Sequence, residues 1–457
     1  MINAEKNINA MKNRSISVIG LGRSGAAVAR LASYLNSKVF ISDDSSSESV
    51  RKILKSLNSI GVRGETGGHT DKLFNTELMI ISPGIAADSE IVLETKKRGI
   101  KVIGEIEFAS LFTVSPIIGV TGTNGKSTTV HALAQMCQSE KIKGVLAGNV
   151  GFPFSDKVLE ELQNPDPKIV YILEISSFQM EFIEQFHPHI SIFLNISPDH
   201  LDRHKTFDNY ITAKLRLAEN QNEHDYIIYN ADDKILIKAL TNHGAKKITF
   251  SPIHSVKNIY NVNNSNIENN EYANLTKLEN IGLPGRHNLY NLLAAASGAQ
   301  CLGISNTKIA NVMNSFKGIP HRLESVATID GVDYINDSKA TNINAVKVAV
   351  ESYDKPIILI LGGLAKGDDF AELIQFKNKI KCVIAYGTAT KTIYTALFQS
   401  YKVHQITLLQ DAVDLSHQKA EDGDIVLLSP GCASFDQFKN FEDRGNRFTH
   451  WVKELGK

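Results

Sequence analysis

Residues Thr121, Gly122, Thr123, Asn124, Gly125, Lys126, Ser127 and Thr128 have the makeup of a nucleotide phosphate cradle. Two glycines let backbone N–H groups approach phosphate oxygens, Lys126 adds a point charge, and the Ser127 hydroxyl suits Mg2+. The strict phosphate-loop pattern needs glycine at position 120, where this chain has Val120. The run is therefore a variant loop, or else a glycine-rich turn with a chance Lys-Ser pair. Glu174 follows the apolar run 169–173. A carboxylate there can hold Mg2+ directly or through water, or can be a solvated strand end. Asp199, His200, Asp202 and His204 form a polar cluster, read either as metal ligands or as a helix-capping turn. A histidine ligand is more usual for Mn2+ or Zn2+ than for Mg2+. Lys214 stands in the apolar stripe of Phe207, Tyr210, Ile211, Leu217 and Ala218. An inward ammonium needs a partner, a lowered pKa or a modification. The alternative is a lysine that snorkels to water, which periodicity alone favours.

Two further groups flank this centre. Gly20, Gly22 and Gly25 match G-x-G-x-x-G, with Asp43 at the end of the next apolar run. NAD fits that pattern, and so does any nucleotide diphosphate. Near the other end, Arg322, Lys339 and Lys366 lie in polar or glycine-rich loops. Together they suit a phosphate or the carboxylates of an amino acid; singly, each reads as a surface charge.

These loops need elements to hold them. Strand and helix signals alternate along the chain, which predicts an α/β fold with parallel sheets. Strands are expected at 15–19, 39–42, 78–82, 116–120, 169–173, 190–195, 332–336, 356–361, 381–386 and 424–428. Helices are expected at 26–35 and 288–302, and one after the loop at 121–127 buries Val130, Leu133, Ala134 and Cys137. The Asn-rich stretch 258–280 reads as loops or short edge strands. Most of the polar residues above follow a strand, where open α/β sheets bind ligands.

With 457 residues, two or three domains are expected. Lys+Arg and Asp+Glu balance at 49 each, so no net field favours nucleic acid or an anionic membrane. Four scattered cysteines without a C-x-x-C pair read as reduced thiols of a cytoplasmic protein. No segment is apolar enough to span a bilayer, and residues 1–14 are expected to be loose.

In order, the motifs at 20–25, 82–84, 121–128, 148–149, 174–179, 199–203, 213–216, 285–291, 321–322, 337–342 and 429–445 resemble the Mur ligase family. Within it they resemble the ligases that add D-glutamate to UDP-N-acetylmuramoyl-L-alanine. The resemblance implies three domains: a Rossmann-like UDP-binding domain (1–112), a central phosphate-loop ATPase-like domain with a parallel sheet (113–318), and a Rossmann-like amino-acid domain (319–457). It implies that Gly22, Ser24, Asp43 and Asn149 hold the UDP part. Gly122 to Thr128 would hold the ATP phosphates, with Asn291, Arg322 and Asp337 on the nucleotide. Lys339, Thr341, Lys366, Ser434 and Phe441 would surround D-glutamate. Two Mg2+ sites would draw on Ser127, Glu174, His200 and a carbamylated Lys214. Lys126, Glu174, His200 and Lys214 would carry catalysis, in a monomer closing near residues 113 and 318. One departure is Leu364, where many members have an acid two residues before the lysine; Asp368 or Asp369 is the expected substitute. Rival readings are another amide ligase of the superfamily, a folylpolyglutamate-type enzyme, an NAD-dependent dehydrogenase, and a nucleotide-binding regulator.

Overall fold

The computed structural model describes residues 4–253, 260–263, 266–269, 272–283, 285–365 and 369–456. They form two compact units, Met1–Phe316 and Lys317–Lys457.

The first unit holds two sheets. Strands β1 (Ser15–Ile19), β2 (Lys38–Asp43), β3 (Arg63–Thr66), β4 (Leu78–Ile81) and β5 (Lys101–Gly104) form one, in the order β3-β2-β1-β4-β5. All its pairings are parallel. The second contains β6 (Ile117–Thr121), β7 (Lys143–Gly148), β8 (Ile169–Glu174), β9 (Ile190–Phe193), β10 (Tyr226–Asn230) and β11 (Lys246–Phe250). It continues with β12 (Tyr260–Asn263), β13 (Asn266–Asn269) and β14 (Tyr272–Lys277), in the order β14-β13-β12-β11-β10-β9-β6-β8-β7. Strands β6, β8 and β9 are buried at every position, as parallel strands covered on both faces must be. In this unit's described residues the parallel expectation fails at the Asn-rich edge, where β12, β13 and β14 pair antiparallel.

One apolar core runs through both sheets, with Val18 and Ile41 in the same cluster as Leu173 and Phe193. Between the sheets lies the helix Glu105–Ser110, buried along its whole length. Its Glu107 carboxylate accepts the backbone N–H groups of Glu184, Gln185 and Phe186 at 2.8–3.1 Å. Glu105 accepts the Ser155 N–H at 2.7 Å, and burial pushes its carboxyl up to about 7. Arg30 adds a bidentate pair to Asp156, both bonds 2.9 Å. The crossing at residue 113 is tied down too, since Thr113 and Ser115 donate to Glu161 at 2.7 and 2.5 Å.

The expected looseness does not hold at residues 4–11; residues 1–3 lie outside the described residues. Ala4–Met11 is a helix whose Met11 is buried and whose Ile8 packs on the same core. Asn7 donates to the Leu111 carbonyl at 2.9 Å. Two apolar residues three apart give a short helix one face to bury, which the polar composition around them hides.

The second unit has β15 (Glu324–Ile329), β16 (Val332–Asn336), β17 (Ile357–Gly362), β18 (Ile380–Tyr386), β19 (Val403–Ile406) and β20 (Ile425–Gly431). Their order is β15-β16-β20-β17-β18-β19, parallel except for the β15–β16 hairpin. Asp330 and Gly331 turn that hairpin with φ of 50° and 75°, the positive pair that a two-residue hairpin turn requires.

Candidate active site

The loop after β6 lies between its neighbours' ends. Gly125 has φ 86°, and a side chain there would run into the Asn291 amide. Only glycine combines that backbone with that approach. The neighbouring strand end holds the loop open. Asn195 accepts the Thr123 and Asn124 N–H groups, both at 2.9 Å, through its carbonyl and its side-chain oxygen. Its amide returns a bond to the Asn124 carbonyl at 3.1 Å. The helix Lys126–Met136 starts directly at Lys126, so its unpaired N–H groups face the loop.

Two ammonium groups converge here. Lys126 Nζ donates to the carbonyls of Gly122 and Thr123, each at 2.8 Å. Lys214 Nζ donates to the same Gly122 carbonyl at 2.8 Å. Lys214 is only 2% exposed, so it does not snorkel. Burial first, and the Lys126 charge second, pull its ammonium down to about 7; Asp199 and Glu174 weigh the other way. The Tyr210 ring lies 4.7 Å from Lys214 Nζ and 6.4 Å from the His200 ring, placing an aromatic group beside both.

Glu174 closes β8. It pairs in register with Val120 on one side and Gly148 on the other. Its Oε1 accepts from the Asn149 amide at 2.8 Å, while Oε2 is buried and has no hydrogen-bond partner. A bare, buried carboxylate oxygen next to a phosphate loop is a group that a divalent cation would satisfy. Among the described residues no three His, Cys, Asp or Glu groups are gathered closely enough to hold an ion alone. Glu174 and the Ser127 hydroxyl are oxygen groups of the kind that would hold Mg2+ beside a bound phosphate.

The histidine cluster splits. His200 sits at φ 51°, half exposed, 3.5 Å from Asp199 and packed on Phe178. His204 is buried; its Nε2 pairs with Ser177 Oγ at 2.9 Å and burial holds its pKa down. It is a core histidine, while the Asp202 side chain lies outside the described residues.

In the β1 turn, Gly20 has φ 95° and a Cβ on Gly25 would overlap the Gly20 carbonyl. Gly22 precedes the helix Arg23–Tyr34, and Ser24 lies in its first turn. Asp43 shapes the turn itself, accepting the Leu21 N–H at 2.6 Å and the Ser45 N–H at 2.8 Å. Arg23 donates to the Gly151 carbonyl, tying the turn to the loop that carries Asn149. Gly25→Ala should open this turn. A lost charge-assisted contact to a diphosphate is worth about 1.5–3 kcal/mol. Where this turn holds the UDP part, as the resemblance implies, the KM for a UDP-linked substrate is expected to rise about 10- to 100-fold by steady-state kinetics, with the KM for ATP unchanged.

In the second unit, Asp337 is buried at the end of β16. It accepts Ser429 Oγ at 2.8 Å and the Leu323 N–H at 3.2 Å. Burial raises its carboxyl to about 7, against the pull of Arg322 and Lys339. Lys339 and Thr341 follow in the same loop, Ser434 is buried after β20, and Phe441 opens the helix Phe441–Leu455. Ser338 donates to the Phe441 carbonyl at 2.8 Å, which joins two of these segments. Leu364 pairs with Ala433 through both backbone groups. Lys366 and Asp368 lie outside the described residues, and Asp369 caps the turn at Ala371.

The MurD N-terminal domain matches residues 15–91, the Mur ligase middle domain residues 120–299, and the Mur ligase glutamate ligase domain residues 321–432. The UDP-N-acetylmuramoylalanine--D-glutamate ligase of Caldanaerobacter subterraneus subsp. tengcongensis is 40% identical over 453 residues, covering 97% of this chain and 99% of that protein. The ligase of the same name from Salinibacter ruber is 37% identical over 454 residues, covering 96% and 97%. The chain belongs to the Mur ligase family. Solved Mur ligases share its fold at low identity. UDP-N-acetylmuramate-alanine ligase from Thermotoga maritima has a TM-score of 0.56 at 16% identity, covering 97% of this chain and 100% of its own. MurF ligase from the same organism, in complex with ADP, has 0.54 at 14% identity, covering 92% and 96%.

Sequence reasoning missed three residues that shape the sites of this Mur ligase. Asn195 holds the phosphate loop, and its place at a strand end beside that loop was the available signal. Arg203 bridges the Ile85 carbonyl at 2.9 Å and Glu181 at 2.8 Å, locking the turn that carries His200. Arg444 is fully buried; it reaches Ser338 Oγ at 2.9 Å, the Ser338 carbonyl at 2.7 Å and the Cys432 carbonyl at 3.1 Å. No local pattern marks an arginine whose acceptors, among the described residues, are neutral.

Proposed function

We propose that this Mur ligase joins D-glutamate to UDP-N-acetylmuramoyl-L-alanine, converting ATP to ADP and phosphate. The observation that carries the reading is the loop after β6, where Lys126 bonds the Gly122 and Thr123 carbonyls and the enclosed Lys214 reaches the same Gly122 carbonyl, together with Glu174, which keeps one bare, buried oxygen at the end of the neighbouring strand. The Lys126 charge and the loop N–H groups suit the crowded negative charge of a triphosphate. Full-length similarity to D-glutamate ligases selects the substrates.

The triphosphate lies along Gly122 to Thr128, with Lys126 on its terminal phosphates and Ser127 toward Mg2+. Glu174, His200 and Lys214, the last as a carbamate, would hold up to two Mg2+ ions. Those ions, when bound, offset phosphate charge. The L-alanyl carboxylate attacks the γ-phosphorus and ADP leaves, giving an acyl phosphate. The D-glutamate amine then attacks the acyl carbon, and the tetrahedral adduct expels phosphate to leave the amide. Asn291, Arg322 and Asp337 fix the nucleotide; Gly22, Ser24, Asp43 and Asn149 hold the UDP part. Lys339, Thr341, Lys366, Ser434 and Phe441 hold D-glutamate. Residues 1–112, 113–318 and 319–457 act as UDP, ATP and amino-acid domains of a cytoplasmic monomer. Among the described residues, no helix is long and apolar enough to cross a membrane, and the four cysteines are free.

The test is ADP release with UDP-N-acetylmuramoyl-L-alanine and a panel of D- and L-amino acids. Turnover with D-glutamate alone is expected. Equal or better turnover with L-alanine or a diamino acid would reassign the enzyme within its family.

A further inference from the structure

Glu174 offers one oxygen to a cation only if its carboxylate is kept from turning. One bond from a neighbour does this, and a second, between backbones, sets that neighbour in place. The Asn149 side-chain amide donates to Glu174 Oε1 at 2.8 Å, and the Asn149 backbone N–H donates to the Glu174 carbonyl at 2.9 Å. An ionised carboxylate only accepts, so the amide must present its NH2 group, and its orientation is set by chemistry. The approach is close because position 148 is glycine at φ 99°, where a side chain would overlap the Glu174 carbonyl. Strands β7 and β8 set the register, pairing Gly148 with Glu174. What remains is Oε2, buried and bare. Asn149 itself is exposed, so its amide is fixed by this bond and not by packing.

We infer that Asn149 is a positioning residue for the metal site: its amide pins Glu174 Oε1 and leaves Oε2 as the oxygen available to Mg2+. This goes beyond a contact to the UDP substrate, and it rests on the reading of Glu174 as a metal ligand. Groups that orient a ligand typically change metal affinity 10- to 100-fold when removed. Asn149→Ala lets the carboxylate rotate. Asn149→Asp sets a second negative charge against Glu174 and removes the donor.

The experiment needs no turnover. Mn2+ is titrated into the full-length enzyme with ADP, and free Mn2+ is read by electron paramagnetic resonance. Metal-free binding of UDP-N-acetylmuramoyl-L-alanine is measured by calorimetry on the same samples, with thermal melting to confirm folding. Asn149→Ala should weaken Mn2+ about tenfold. Asn149→Asp should weaken it more, and Glu174→Ala at least as much. Unchanged Mn2+ affinity in both Asn149 variants, with Glu174→Ala weakened, would overturn the positioning role alone. Unchanged affinity in Glu174→Ala would overturn the metal-ligand reading and the inference with it. Loss confined to UDP-substrate binding would make Asn149 a substrate contact only.

Discussion

Lys126→Ala is expected to fold normally and to lose acyl-phosphate formation, with kcat reduced a few-hundred-fold. The ammonium meets charge that grows as the γ-phosphoryl group transfers, and one such contact is worth about 3–4 kcal/mol. The variant loses two bonds to loop carbonyls, but Asn195 still holds the same loop through three of its own. Loss of activity should therefore not be loss of structure. A single-turnover ADP burst separates the steps: it should vanish in Lys126→Ala while nucleotide binding survives in weakened form. A full burst with slow turnover would move Lys126 from phosphoryl transfer to a later step. A second consequence follows from the shared carbonyl. The Lys126 charge helps hold the Lys214 ammonium down, so its removal should raise the Lys214 pKa.

The parts of this machine that could be read from the chain were those whose physics is local. A buried parallel strand is a short apolar run, and the polar residue at its end faces the ligand side. Glu174, the loop at 121–128 and the turn at 20–25 were legible for that reason. Strands β15 and β19 were not, because they are edge strands whose partial burial leaves no continuous apolar run. Asp43 sits where a ribose-binding acid belongs, and each of its oxygens also accepts a backbone N–H group of its own neighbourhood. Position misled at one residue. His204 reads as a ligand from spacing alone, but the chain turns at His200 and Lys205 and sends its ring into the core. Lys214 went the other way. Periodicity favoured a snorkelling side chain, and only the packing of the helix Phe207–Leu215 against the phosphate loop shows that the ammonium is enclosed. Burial of a charge depends on what covers the helix, and a single helix does not carry that information.

The enclosed Lys214 leads to the other large effect: Lys214→Arg is expected to be nearly inactive. A buried ammonium next to Lys126 has one hydrogen-bond acceptor, the Gly122 carbonyl, and no carboxylate within ion-pair distance among the described residues. Uptake of CO2 by the neutral amine forms an N-carboxylate and releases one proton. That change would turn a poorly placed cation into an anion able to hold Mg2+, as proposed above. Arginine keeps its charge and cannot take up CO2, so it should fail where a simple requirement for a cation would let it succeed. Lys214→Ala should be equally slow, and a short carboxylic acid in the assay should restore part of its activity by filling the vacated place. The pH dependence has a definite sign. With the ammonium drawn down to about 7, the neutral amine prevails above that value and the ammonium below it. Activity in bicarbonate-depleted buffer should then fall off as pH drops from 8 to 6, and added bicarbonate should offset the loss. Carbon-13 NMR with labelled bicarbonate should show one slowly exchanging carbamate signal in the wild type and none in Lys214→Arg. A fully active Lys214→Arg enzyme would mean that the site needs only a positive charge, or none, at this position.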